Sequence, residues 1–334
     1  MPNSEKCSNR MPKPLTISIA MCTYNGERFL QEQLDSFLAQ TRLPDELVVC
    51  DDGSQDGTVA ILEAFAAQAP FPVRLFKNPQ NLGFSKNFEK AISLCQGDII
   101  ALSDQDDVWL PEKLERFEQV FLTYPEVGYV FCDASVVNEN LRPLGFSVWN
   151  FYNFSWVSPQ IFLPGKFSKM FLKIRAIAGA LMAIRTNLCR LIFPIPPLWV
   201  HDDWMSFAGG MIMGVVAIPD KFNKYRQHSN QSFGLKMESL INRINKSYSI
   251  SSKHFINIAA KYRHALRTLT NNKFNIDKFY FLFFEEMILH LTIRANLPKK
   301  KISRIHIIFN EFLSGRYHKY SNGLISAVKD FTIT

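Results

Sequence analysis

The sequence predicts an α/β fold: a doubly wound, mainly parallel sheet of Rossmann-like type with a helical C-terminal extension. Three observations predict it. Short apolar runs alternate with segments of helical periodicity between Leu15 and Cys132, and such alternation builds βαβ units around a sheet covered on both faces. Carboxylate-rich polar clusters follow the strand-like runs, at the strand ends where sheets of this kind bind ligands. Beyond about Gly234 the chain turns basic and reads as helical.

The elements follow in order. Leu15–Met21 is an apolar run fit for a buried strand, and it stops at the turn-rich segment Cys22–Gly26. From Glu27 onward Phe29/Leu30, Leu34 and Phe37/Leu38 recur every four residues, which predicts an amphipathic helix. A second strand, Leu47–Cys50, ends in Asp51-Asp52-Gly53-Ser54, and a helix over Thr58–Gln68 follows. Val73–Phe76 and Ser85–Cys95 are the third strand and helix. The fourth strand, Asp98–Leu102, ends at Ser103-Asp104-Gln105-Asp106-Asp107. Pro111 stands at a first helical position and opens a helix to Phe121. Tyr129–Cys132 is the fifth strand. Residues 145–176 are irregular and aromatic-rich, which suits a lid, an acceptor wall or a packing insertion. The uncharged stretch Met205–Pro219 is too short to span a bilayer and reads as a buried helix running into a strand.

Composition narrows the class. Of 334 residues 47% are apolar and 20% charged, a globular composition. No C-x-x-C pair exists among the six cysteines, so neither a disulfide framework nor a zinc site is expected; a reducing compartment, the cytoplasm, is. Residues 1–14 are polar, lack an apolar core of the signal-peptide kind and are expected to be flexible. The net charge of +8 is uneven: residues 235–334 hold 17 Lys and Arg against 6 Asp and Glu. A basic tail points to a polyanionic partner. No nucleic-acid motif accompanies it, so the expected partner is a membrane surface at the inner face of the cell membrane, reached by the basic residues and the apolar stretch Phe279–Leu291. The bland reading is a helical extension that packs on the rest of the chain.

Four constellations carry chemistry. Asp104 and Asp106, two apart at a strand end, face the same way while Asp107 points elsewhere. Converging carboxylates call for a hard cation such as Mg²⁺ or Mn²⁺, bound together with substrate phosphates. In Asp51–Thr58 a strand-end carboxylate, Asp52 above all, suits a nucleobase or ribose, whereas Asp56 and Thr58 serve the next helix. His201-Asp202-Asp203-Trp204 offers a general base or, more plainly, an acidic helix start. Tyr225–Asn230 offers His228 as a further metal ligand and Arg226 as a phosphate partner.

In this order, IAMCTYNG (Ile19–Gly26), VCDDGSQDGT (Val49–Thr58), NLGFSKNFEKAI (Asn81–Ile92), LSDQDDVWL (Leu102–Leu110), AGALMAIR (Ala178–Arg185), HDDW (His201–Trp204) and YRQHSNQSFG (Tyr225–Gly234) resemble the inverting glycosyltransferases of family 2, with the GT-A fold. The SDQDDVW and YRQHxN forms look like the rhamnosyltransferase-like branch, which acts in bacterial surface polysaccharide assembly. The resemblance implies a GT-A catalytic domain over residues 15–234, followed by the basic extension 235–334. It implies that Thr23, Tyr24, Asn25 and Asp52 hold the nucleoside. Asp104 would lie near ribose and diphosphate, Asp106 and His228 would bind the divalent cation, Gly179 would line the donor-sugar region, and Asp202 would be the base. The donor would be a nucleotide-diphosphate sugar, the acceptor a glycan linked to lipid diphosphate. Two other classes stay in view: a non-catalytic sugar-nucleotide scaffold, disfavoured by the full set of carboxylates, and a nucleotidyltransferase, disfavoured because Thr23–Gly26 is not a Gly-rich nucleotide loop.

Overall fold

The computed structural model describes residues 14–154, 156–171, 178–229, 231, 234, 235 and 252–332. The expected flexible N-terminus (all but Pro14), Asn230 and the start of the extension over 236–251 lie outside them.

The first half is built as the alternation predicts: β1 (Ile17–Thr23), α1 (Glu27–Leu38), β2 (Glu46–Asp51), α2 (Thr58–Ala66), β3 (Val73–Lys77), α3 (Phe84–Leu94) and β4 (Ile99–Ser103). Then come β5 (Val108–Trp109), α4 (Lys113–Thr123), β6 (Val127–Val137), β7 (Pro143–Ser147), β8 (Gln160–Phe162), β9 (Met182–Arg185) and β10 (Gly214–Arg226). The sheet runs β3-β2-β1-β4-β9-β6-β10-β5, with β7 on β6 and β8 on β10. Pairing is parallel from β3 to β4 and between β6 and β10. β9 is inserted antiparallel between β4 and β6. Every residue of β2 and β4 is buried, as strands covered on both faces must be.

β5, β7, β8 and β9 are not predicted as separate strands, and of β10 only its start is. β5 is two residues long and β8 three, too short for a period-2 pattern to register. Met205–Pro219 divides into a π-helical turn (Met205–Gly209), a short helix and the first part of β10, the expected helix running into a strand. In the aromatic stretch, Trp149, Phe154, Phe162 and Phe167 are buried in the main core, so most of it is packing. Val148 and Tyr152 alone from it reach the cavity described below, among the described residues.

The extension contains helices Ser252–Asn271, Lys278–Ala295, Lys301–Leu313, Arg316–Tyr320 and Leu324–Thr332. Its first two join the main core. Phe284 meets Phe207 edge-on with centroids 5.0 Å apart, and Tyr262 packs against both Trp199 and Phe207. Phe283, Phe284, Met287, Ile288 and Leu291 are buried. The apolar stretch Phe279–Leu291 therefore spends most of its side chains on packing rather than on an outside surface.

Candidate active site

At the carboxyl ends of β1, β2 and β4 lies a cavity of about 830 Å³. Thr23, Tyr24, Asp52, Asp104, Asp106, Gly179, Asp202 and His228 all line it. The topology that brings them together is the strand order itself, because β1 is flanked by β2 and β4.

The loops after β1 and β2 are tied to each other. Asp51 accepts from the Thr23 hydroxyl at 2.8 Å and from the Ser54 N–H at 2.9 Å. Asn25, at φ +47°, does not line the cavity. Its N–H donates to Ser54 Oγ and its Oδ1 accepts from the Gln55 N–H, so it clamps the two loops instead of facing a ligand. Asp52 lines the cavity, but its carboxylate already accepts from Asn78 Nδ2 (2.7 Å) and from the Leu82 and Gly83 N–H groups (2.8 and 3.0 Å). Gly83, at φ +78°, supplies the left-handed turn that aims its N–H there just before α3. The stretch Asn81–Ile92 thus shapes the Asp52 loop, with Asn81 Nδ2 on the Asp52 carbonyl and Asn87 Nδ2 on the Cys50 carbonyl.

After β4 the acidic turn splits. Asp104 and Asp106 line the cavity, whereas Asp107 turns inward to accept from the Arg226 N–H at 3.1 Å and from Asn223 Nδ2. Burial together with the charges of Asp106, Asp107 and Asp202 raises the Asp104 carboxyl well above the usual range. Burial and Asp106 likewise push Asp107 up to about 7. Asp106 Oδ2 sits 2.7 Å from His228 Nε2, whose ring packs 4.7 Å from Phe29. Gln105 also lines the cavity and pairs with both the N–H and the carbonyl of Tyr24.

Across the cavity stands the short helix His201–Trp204. Asp202 accepts from its neighbour's N–H (Asp203, 2.7 Å) and from the Gly179 N–H. Burial first, then the Asp203 charge, push the Asp202 carboxyl up to about 7. His201 stacks on Phe88 at 4.2 Å, and burial lowers it to about 3, so it is a neutral ring. Gly179 lies so close that a Cβ there would stand 2.7 Å from His201 Nε2. The small residue is needed for close approach of the two segments.

A family model described as Glycosyl transferase family 2 matches residues 18–185, half of the chain, from β1 through β9. The chain belongs to glycosyl transferase family 2. An uncharacterized protein of Mycobacterium tuberculosis is 27% identical over 217 residues, 64% of this chain and 59% of that one. An uncharacterized glycosyltransferase of Nostoc is 27% identical over 215 residues, 64% of this chain and 63% of its own length. The chain therefore spans about six-tenths of the length of these relatives. Among solved structures, S. aureus TarS residues 1–349 in complex with UDP-GlcNAc superposes with a TM-score of 0.56 at 16% identity, over 95% of this chain and 81% of that one. That likeness supports the fold, a family 2 glycosyltransferase sheet with helices after it.

Two site residues of this family 2 chain were not singled out from the sequence. Lys113, the first residue of α4, is buried under the acidic turn, where burial lowers its ammonium to about 8. It donates to the Ala180 carbonyl at 2.7 Å and lies 3.7 Å over the Trp109 ring. Its charge offsets part of the carboxylate repulsion at Asp104 and Asp107. Lys261 comes from the extension, lines the cavity and pairs with Asp203 at 2.9 Å. Only the LSDQDDVWL stretch hinted at the first, by placing a helix start just after the acidic turn. No local signal marks the second.

Proposed function

We propose that this protein transfers a sugar from a nucleoside-diphosphate donor to a hydroxyl of a glycan acceptor, with inversion at the anomeric carbon. One observation carries the reading. A carboxyl raised to about 7, Asp202, shares a single cavity with Asp104 and Asp106 and is close enough for its charge to raise Asp104. One wall thus suits a proton acceptor and the other a diphosphate with its counter-ion.

In this reading the nucleoside rests against Thr23, Tyr24 and the Asp52 loop, and Asn25 acts by holding that loop in shape. Gly179 borders the donor sugar. Asp202 takes the proton of the acceptor hydroxyl as the new C–O bond forms on the anomeric carbon. The old bond to phosphate breaks and its electron pair leaves with the nucleoside diphosphate. The donor set fits a divalent cation: a carboxylate and an imidazole in contact, Asp106 and His228, beside Asp104, whose burial among like charges favours neutralisation. Among the described residues no three such side chains form a complete metal site, as suits an ion that also needs substrate phosphates. Bound there, Mg²⁺ or Mn²⁺ supplies charge stabilisation to the leaving diphosphate.

The motif forms point to rhamnose as the sugar and to bacterial surface polysaccharide as the product. The acceptor would be linked to lipid diphosphate at the inner face of the membrane, with residues 15–234 as catalytic domain and residues 235–334 as extension. A panel of nucleotide sugars, nucleoside-diphosphate rhamnose included, with Mg²⁺, Mn²⁺ or chelator, is scored for nucleoside diphosphate released in the presence of acceptor. Release from one donor, lost on chelation, is expected; no release from any donor overturns the reading.

A further inference from the structure

The last helices of the chain are inverted. In Lys301–Leu313 the buried residues are Arg304, Ile308 and Glu311, while Ile302, Ile305, Phe309 and Leu313 are 52–83% exposed. Those four recur at three- and four-residue intervals and make one stripe on the side away from the packing. Leu324–Thr332 repeats the pattern, with Ser326 and Ala327 buried and Leu324, Ile325, Val328 and Phe331 outside.

What holds this end together is largely polar. Arg294 makes two bonds to Asp330, at 2.7 and 2.9 Å, and Tyr317 donates to the same carboxylate. Glu311 joins His290 and Arg316, and Arg304 reaches the carbonyls of Pro298 and Asp330. Among the described residues the apolar centre here is small: Ile308, Tyr317 and Ala327, with Leu297 and Phe312 partly buried against them. Water alone would select the opposite arrangement, with apolar stripes in and charges out. Exposed apolar stripes of this kind mark an interaction site.

We propose that these two apolar stripes are a docking surface that seats the protein on an anionic lipid bilayer. The charge around them selects that occupant. Residues 297–334 hold seven Lys and Arg against two Asp and Glu. Lys299, Lys300 and Lys301 are exposed at the start of the first stripe and make no ion pair among the described residues. An apolar stripe rimmed by lysines fits the boundary between acyl chains and anionic headgroups. Among the described residues no helix is long and apolar enough to cross a membrane, so the helices lie on the surface. The inference deepens the membrane contact suggested above, moving it from Phe279–Leu291 to the tip of the extension. Because Ile258, Lys261 and Tyr262 of the same extension line the cavity, docking would bring the site to a lipid-linked acceptor.

The test is co-sedimentation of the full chain with vesicles of phosphatidylcholine alone or mixed with phosphatidylglycerol. Binding is expected only to the mixed vesicles. It should weaken about tenfold or more in the double variant Ile305→Glu, Phe309→Glu, and it should fall with salt and with Lys299→Glu, Lys300→Glu, Lys301→Glu. A Phe309→Trp variant, which keeps the surface apolar, should show a blue shift in emission on adding mixed vesicles. Equal binding to both vesicles, binding untouched by these substitutions, or a self-associated species abolished by the double variant would overturn the proposal; the last result would assign the surface to a second copy of this chain. Transfer to a soluble acceptor is unaffected by all of these variants if docking and catalysis are separate, so loss of docking is distinguishable from failure of the glycosyl-transfer reading.

Discussion

Asp202 draws together the chemistry at the residue scale. Its carboxyl titrates near 7 because burial and Asp203 disfavour its charged form. As the proposed base, Asp202 must be ionised to accept a proton, so transfer should rise with pH and level off above about 7. Asp203→Asn removes the neighbouring charge and frees Lys261 from its pair. Both changes favour ionised Asp202, so the acid limb of the kcat/KM profile should move to lower pH. Asp202→Asn should cost roughly 10²–10⁴ in turnover with donor affinity kept, as measured by calorimetric titration of the donor beside a transfer assay. Retained turnover in Asp202→Asn would move the base elsewhere. The sequence motif pointed to Asp202 without its neighbours. The Asp203 charge is local to the same short helix, whereas the Gly179 N–H and the burial that set its behaviour come from segments brought together by the fold.

At the scale of elements, Arg226 at the end of β10 is a fastener. It is 1% exposed, reaches Glu32 of α1, donates to the carbonyls of Asp106 and Glu139, and lies 4.5 Å over the Phe29 ring. It therefore ties helix, acidic turn and last strand into one unit next to Asp106 and His228. Arg226→Ala leaves buried carbonyls without donors and opens a cavity, which should cost about 2–4 kcal/mol in urea denaturation. Arg226→Lys restores charge but not the planar fork, so it should recover only part. From its motif alone this arginine is expected to meet phosphate. Its type was informative, but its burial could not be read from a local pattern. The same holds for Asn25 and Asp52, whose carbonyl and carboxylate oxygens accept from protein N–H groups.

At the scale of the whole molecule, the acidic cavity sets how stability depends on pH. Asp104 and Asp202 keep their protons in the folded chain well above the value near 4 of an unfolded carboxyl. Between about pH 4 and 7 the folded state then binds more protons than the unfolded one, so their contribution makes stability fall as pH rises through that window. Differential scanning fluorimetry without ligand should show the melting temperature declining from pH 5 to pH 8. Asp202→Asn should flatten that decline, and nucleoside diphosphate with Mn²⁺ should oppose it most at high pH. The extension belongs to the same whole. Ending the chain before Ser252 removes Tyr262, Phe283 and Phe284 from the core, at roughly 1.5–3 kcal/mol per side chain against a typical total of 5–15. Residues 1–251 expressed alone should be insoluble or unfolded by circular dichroism.

By itself the sequence determined the alternation of strands and helices through β4, the strand-end position of the acidic clusters, the basic charge of the last hundred residues and the helical character of the chain from Ser252 on. All of these rest on local periodicity and composition, which short-range patterns carry. The tertiary structure decided what depends on partners far along the chain. It placed β9 antiparallel between β4 and β6, buried Lys113 beneath the carboxylates, and recruited Lys261 to the cavity. It also turned the apolar stripes of the helices Lys301–Leu313 and Leu324–Thr332 outward. A hydrophobic stripe read along a helix shows that one face differs from the other; which face meets the protein is settled only when charged side chains such as Arg304, Glu311 and Asp330 find their partners inside.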